Sequence, residues 1–406
     1  MYIFFNLIYV LRKFERDDIG MKKFVVLLFT LVMVISLSAC SMDKPYDDSD
    51  KQTSSLSKVR SNKRKVGISM PTKSLERWSK DSSFLKKQFE DEGYDVEVTY
   101  ADNDSDQQVE DIEKMIADGV DVLVIAAIDG ETLTTPLIDA KGQNIPVISY
   151  DRLIMNTDAV SYYVSFDNYM VGEIQGKYII DKLGLEKSDG KTYNMEITAG
   201  DTADNNAEFM FNGAMDVLKK YIDDGTIRIV SGQTSFEAVA MAQWSEDEAR
   251  ERMNNIIASY YSDGTKLDIC LCSNDSTALG VTKSLQLNYK GGNIPIITGQ
   301  DADEANLANI IDDQQAMTVY KNFSDEAVVT LGIVEEILHD KMPDESLCAD
   351  LKYKCSYDVK SYDNGTGIIP SYLLRPELIT KENYKEKLVD TGYYKLDKDG
   401  YPKVKQ

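Results

Sequence analysis

The sequence predicts an α/β protein made of two doubly wound parallel-sheet lobes. Two patterns carry this expectation: apolar strands alternate with amphipathic helices at intervals of about 25 to 30 residues, the length of a βαβ unit, and two strand segments recur later in the chain at a nearly constant offset. The 406 residues, 43% hydrophobic and 28% charged, are enough for two or three compact domains.

Taken in order, Val66, Ile68 and Met70 alternate as a half-buried strand. A helix is expected to open at Asp81, with Phe84, Leu85 and Phe89 on one face and Gly93 as its stop. Val96 and Val98 mark a second strand. Asp106 is expected to cap a helix whose Val109, Ile112, Met115 and Ile116 share a face, and Gly119 ends it. Val122 to Ala127 is a continuous apolar strand of the kind covered on both sides. Another helix precedes Asn144-Ile145-Pro146, and Val147 to Tyr150 leads into Asp151 and Arg152. A strand–helix alternation of this length implies parallel pairing.

The segment Asp121 to Asp129 is answered by Asp268 to Asp275, and Asn144 to Asp151 by Asn293 to Asp301, each roughly 150 residues on. Two domains of one topology would produce this echo. Ligands of doubly wound sheets bind beyond the carboxyl ends of strands, so two such sheets facing each other would form a cleft lined by Asp129, Asp151, Arg152, Asn274, Asp275 and Asp301.

Composition excludes several function classes. Lys and Arg number 45 against 68 Asp and Glu, a net charge of -23, which repels phosphate backbones and argues against nucleic acid. With His339 as the chain's one histidine, most metal sites and catalytic triads are lost, and no cofactor or metal is expected. Cys270 and Cys272 would share one face of a strand and read as buried core; Cys348 and Cys355 could pair, but reduced thiols are the expectation for a fold of this size.

At the N-terminus, Lys22 and Lys23 precede an apolar run from Phe24 to Leu37 and then Ser38-Ala39-Cys40. This is the order of a secretory signal over residues 21–39, and Leu37 to Cys40 looks like a bacterial lipobox in which Cys40 is lipidated and begins the mature chain. A membrane-spanning anchor is the alternative, but about 14 apolar residues fall short of the roughly 20 needed to cross a bilayer. Residues 1–20 read as a leader from a misplaced start codon. Removing residues 1–39 takes away more positive than negative charge. Residues 40–62 have the composition of a lipid-anchored solvated tether, and the folded body is expected from Lys63.

Six motifs are then recognisable: Leu75 to Asp81, Tyr150-Asp151-Arg152, Asp204 to Ala207, Ser273-Asn274-Asp275, Gly299-Gln300-Asp301 and Met317 to Lys321. Over about residues 65–395 the chain resembles the periplasmic xylose-binding and multiple-sugar-binding proteins of bacterial ABC importers. The resemblance implies a type I periplasmic binding protein, with a three-crossing hinge between its lobes. An N-terminal lobe of 63–165 plus about 322–362 and a C-terminal lobe of 166–321 plus about 363–406 are expected. The resemblance places Arg77, Asp151 and Arg152 in the first lobe, and Asp204, Asn206, Trp244, Asn274, Asp301 and Lys321 in the second lobe and hinge. Glu208 falls where the wider family varies, and the leader and the cysteines are not part of the pattern.

The residues themselves suit a monosaccharide. A sugar hydroxyl is donor and acceptor at once, so a buried site needs carboxylates (Asp151, Asp204, Asp301), fork donors (Arg77, Arg152) and amides (Asn206, Asn274). Trp78 and Trp244, the chain's two tryptophans, lie beside these motifs and offer faces for an apolar ring surface, although either alone would suit core packing; Asp129 before Gly130 has a helix-cap reading. Asp102 to Asp106 with Glu113 partly mimics a calcium loop but has Gln107 where glycine is needed, so a loop and cap is expected; the acidic residues in 302–313 read as a solvated helix face.

The expected function is an extracytoplasmic lipoprotein, a monomer and not an enzyme, that delivers an aldose such as xylose, glucose, galactose or arabinose to an ABC permease. A sugar-sensing accessory of a chemoreceptor or sensor kinase is the alternative. A glycosidase is disfavoured because cationic partners would keep Asp151 and Asp301 ionised, and a regulator of the same fold would carry a helix-turn-helix where the export signal stands.

Overall fold

The computed structural model describes residues 63–187, 190–349 and 355–405. The expected leader, signal, tether and lipidation site at Cys40 lie outside the described residues.

The first sheet begins with β1 (Lys65–Met70) and β2 (Asp95–Tyr100), and continues with β3 (Val122–Ile125), β4 (Val147–Tyr150) and β5 (Val160–Phe166). These run parallel in the order β2-β1-β3-β4-β5. β1 is buried on both faces, not half-buried, because helices cover a parallel sheet from either side and β1 lies inside it. The helix Glu76–Asp91 starts earlier than expected: Asp81 is no cap, but lies fully buried and accepts from Arg77. Asp104, not Asp106, caps Ser105–Ala117 by accepting from the amides of Asp106 and Gln107, which also disposes of the calcium-loop reading.

The second sheet repeats the plan with β6 (Tyr193–Thr198), β7 (Ile227–Ile229), β8 (Ile269–Cys272) and β9 (Ile296–Ile297) in the order β7-β6-β8-β9. A parallel bridge from Gln300 to Val319 adds β10 (Thr318–Tyr320) beyond β9. The order matches that of the first sheet strand for strand, and the echoed segments supply β3 and β4 in one sheet, β8 and β9 in the other.

Three crossings join the lobes. The chain leaves the first sheet after Phe166, and returns through Lys321 and Asn322 into the helix Phe323–Leu338, which packs on the first sheet. There β11 (Cys355–Asp358) and β12 (Ser371–Leu374) extend the sheet beyond β5. It leaves again through Arg375 and Pro376 to β13 (Glu377–Ile379), which pairs antiparallel with β10. A closing hairpin of β14 (Tyr394–Leu396) and β15 (Pro402–Val404) follows.

Three expectations change here. Residues 371–374 belong to the first lobe, since β12 pairs in parallel with β5. The sheets are parallel except at their edges, where β11 runs antiparallel to β12 and β13 antiparallel to β10. Cys348 and Cys355 form a disulfide instead of remaining thiols: the short helix Ser346–Ala349 and β11 hold their Cα atoms 5.3 Å apart, inside the bonding window. Cys270 and Cys272 are free and buried on β8.

In the second lobe the helices Asn168–Leu183 and Asn205–Asp223 meet backbone to backbone at glycines. A Cβ on Gly172 would overlap the Met210 carbonyl oxygen, and one on Gly213 the carbonyl oxygen of Tyr169. Gly172→Ala is therefore expected to lower unfolding free energy by about 1 to 3 kcal/mol in denaturant titrations, while Gly142→Ala, which meets nothing, should not destabilise. Equal losses from the two would refute the close-packing account.

Candidate functional site

The carboxyl ends of the two sheets face one another, and each contributes an aspartate in an unusual backbone conformation. Asp151, after β4, has φ 58°, and Asp301, after β9, has φ 101°. Such values cost a non-glycine residue about 1 to 3 kcal/mol and persist only where the surroundings hold them. The Asp151 carbonyl accepts from the hydroxyls of Tyr163 (2.9 Å) and Ser165 (2.7 Å) and from Asn206 Nδ2 (2.7 Å). The Asp301 amide is held by the Val319 carbonyl at 2.8 Å.

Arg77, from the helix Glu76–Asp91, is the centre of the polar network. Its Nε donates to Asp81 Oδ2 at 2.9 Å, its Nη2 to Asp151 Oδ1 at 2.6 Å and Glu326 Oε2 at 3.3 Å, and its Nη1 lies 3.5 Å from Asp301 Oδ1 across the cleft. Lys321, on the second crossing, donates to Asp151 Oδ1 from 3.1 Å. Arg152 donates to the carbonyls of Ala127 and Ile128 and reaches Asp204 Oδ2 of the other lobe at 3.0 Å. Both guanidiniums approach the Trp78 ring, Arg77 at 5.0 Å and Arg152 at 5.1 Å from its centroid.

This arrangement decides which groups are charged. Burial would raise the Asp151 carboxyl, but Arg77, Lys321 and Arg152 outweigh it and hold it down to about 2. Burial wins at Asp204, which rises despite Arg152, and at Asp303, pushed up to about 7 against the pull of Lys80.

Between the lobes lies a cavity of about 30 Å³, room for a water and not for a sugar while the lobes are closed. Arg77, Trp78, Asp151, Arg152, Asp204, Trp244, Asn274, Asp301 and Lys321 line it, as the sequence led us to expect. Leu75, Met210, Gln300 and Asp303 line it as well. Gln300 and Asp303 flank Asp301, so a reading of every residue after β9 would have found them, and Asp303 belongs to the cavity rather than to a solvated face. Two expected residues do other work. Asn206 spends both ends of its amide on Tyr163 and the Asp151 carbonyl, so it braces the site from behind. Asp129 accepts from the Glu131 amide in a turn and is absent from the cavity wall. Asp275 is likewise structural, holding Asp303, Gln315 and Thr318, and Glu208 is exposed to solvent. A larger cavity, about 770 Å³, runs along the crossings past Phe166, Asn322 and Pro376, but holds none of the expected site residues.

Two buried polar atoms of the wall have neither a hydrogen bond nor an ion pair, Trp244 Nε1 and Gln300 Oε1, while Asp301 Oδ1 has only its ion pair with Arg77. Each unmet group costs about 1 to 3 kcal/mol unless something in the cavity satisfies it. A free donor, a free acceptor and an indole ring suit a neutral polyhydroxylated molecule that enters when the lobes part. Among the described residues no group of three metal-ligating side chains gathers.

The sequence profile of the periplasmic binding protein domain matches residues 66–341. The chain is 41% identical over 335 residues to the multiple sugar-binding periplasmic receptor ChvE of Rhizobium radiobacter, covering 82% of this chain and 91% of that protein. It is 34% identical over 331 residues to the D-xylose-binding periplasmic protein of Escherichia coli K12, covering 82% and 91%. Among solved structures, it is similar to an ABC-transporter solute-binding protein from Clostridium phytofermentans with bound β-D-glucose, at 52% identity and a TM-score of 0.76, covering 82% of this chain and 98% of that one.

Two tests follow from the geometry. Gly200 touches the Trp244 ring so closely that a Cβ would overlap it; Gly200→Ala should displace the indole and shift its fluorescence, and unchanged emission would count against this packing. Asp151, with its carboxyl depressed, contributes stability present above its ordinary value near pH 4 and lost as pH falls through about 2. The advantage of wild type over Asp151→Asn in denaturant titrations, about 2 kcal/mol at pH 6, should therefore shrink by pH 2.5; a constant difference would contradict the assignment.

Proposed function

Because the chain belongs to the periplasmic binding protein family, we propose that it is an extracytoplasmic receptor that closes its two lobes around one aldose and delivers it to an ABC importer. The observation that carries this reading is the pair of unpartnered atoms, Trp244 Nε1 and Gln300 Oε1, beside the ion-paired Asp301 in a cavity shared by both lobes. A sugar hydroxyl satisfies an acceptor and a donor in one group, and its ring presents an apolar face to Trp78 or Trp244. Arg77, Asp151, Arg152, Asp204, Asn274, Asp301 and Lys321 serve as the polar ligands in this reading, with Asn206 bracing Asp151. Relatives that bind xylose, glucose or several sugars support an aldopentose or aldohexose as the class.

The site holds charges but is nearly self-paired, which suits an uncharged ligand: Asp151 is matched by Arg77 and Lys321, and Asp204 by Arg152. Asp151, fixed as an anion, is a poor general acid, which supports binding rather than cleavage as its role. Lipidation of Cys40, supported by the lipobox sequence, would hold the receptor at the outer face of the membrane as a tethered monomer.

Three outcomes are expected. An aldose should change the intrinsic fluorescence of protein begun at residue 41, with a dissociation constant on the order of micromolar or tighter, about -8 kcal/mol; a flat titration for every aldopentose and aldohexose would sink the reading. Asp301→Ala should weaken that binding by roughly 10- to 200-fold in calorimetry with the ligand-free melting temperature kept, and undiminished affinity would remove Asp301 from the site. Cys40→Ser should release the cleaved protein from membranes; its retention there would exclude the acyl anchor.

A further inference from the structure

Glu326 stands in the first turn of the helix Phe323–Leu338, directly after the second crossing, and takes no part in the cavity wall. It is wholly buried, and its Oε2 meets Arg77 Nη2, the same nitrogen that donates to Asp151. We propose that Glu326 is the positioning residue of the binding cleft, clamping Arg77 from behind so that Nη1 is presented to Asp301 and the ligand, and that it does this as a neutral acid. The proposal rests on the receptor reading above.

The geometry around Arg77 requires a neutral carboxyl. Two cations, Arg77 and Lys321, face four carboxyl groups: Asp81, Asp151, Asp301 and Glu326. Four anions around two cations in a dry pocket would leave charge unmatched, and a buried carboxyl relieves this by holding a proton. Asp151 has both cations as partners, whereas Glu326 has only a share of one. Glu326 Oε1, Asp81 Oδ1 and the Tyr150 hydroxyl, which together form the back of this pocket, are all buried without partners. The groups acting on Glu326 are Asp151, Arg77, Asp81 and Lys321, with the Tyr150 hydroxyl beside them. Burial, Asp151 and Asp81 drive the Glu326 carboxyl well up, against Arg77 and Lys321; Asp81, gripped by Arg77 Nε, rises only to about 6.

A carboxyl raised in the closed cleft favours closure while it keeps its proton. Affinity attributable to it is therefore full only below its open-cleft value and falls progressively as pH rises from there toward its raised closed-cleft value. A purely structural residue in the same place would give no such dependence.

The test is calorimetric titration of D-glucose and D-xylose into wild type, Glu326→Gln and Glu326→Ala between pH 5.5 and 9. Glu326→Ala should weaken binding about tenfold at pH 7, since Arg77 loses its rear contact. Glu326→Gln, which keeps a neutral partner for Nη2, should restore affinity to within about threefold and show a shallower fall toward pH 9 than wild type. Glu326→Gln binding as poorly as Glu326→Ala, or keeping the wild-type pH slope, overturns the neutral-acid role. Wild-type affinity in Glu326→Ala overturns the positioning role altogether. A wild-type protein that binds neither sugar overturns the receptor reading itself, and with it the role that depends on it.

Discussion

One guanidinium organises the cleft. Burying Arg77 is unfavourable unless each of its nitrogens finds a partner, and the fold supplies them from four places: its own helix, the end of β4, the helix after the second crossing, and the opposite lobe. Because those partners come from parts of the chain that meet only when both lobes are formed and apposed, Arg77 reports on the assembly of the whole site. The positive φ of Asp151 belongs to the same constraint. Its backbone is turned so that its carboxylate faces Arg77 and Lys321 while its carbonyl, directed the other way, receives Tyr163, Ser165 and Asn206.

The repeated topology explains how two distant aspartates come to share a cavity. In both sheets the fourth strand along ends at the cleft, and in both the next residues carry the polar groups. A helix or an exposed loop could not aim a short side chain so consistently. The backbone bonds on either side of each aspartate fix its direction before any ligand arrives, which limits the ordering that binding must impose.

Much of this was legible in the sequence, and for a physical reason. Strands buried on both faces are continuous apolar runs, so β3, β4 and β8 could be placed within a residue or two, and their echo disclosed the duplicated plan. Helix starts were less legible: Asp81 looks like a cap, yet its carboxylate serves a buried arginine, while the true entry at Glu76 has no side-chain cap to announce it. The lobe assignment of β12 could not be read, because a strand that joins a sheet after a long excursion carries no mark of its partner. The cavity wall was mostly visible as polar residues at strand ends. Asn206 and Asp129 were misjudged because sequence shows the chemical type of a side chain but not whether the protein has already used its hydrogen bonds.

The ion pairs that span the two lobes, Arg77 with Asp301, Arg152 with Asp204 and Lys80 with Asp303, have a further consequence. In the closed form they are shielded from solvent, where mobile ions have little access; once the lobes part, the same charges face water and are screened over about 10 Å at 0.1 M ionic strength. Dissolved salt thus stabilises the parted form at the expense of the closed one. The affinity of this protein for a ligand that carries no charge at all becomes a function of ionic strength.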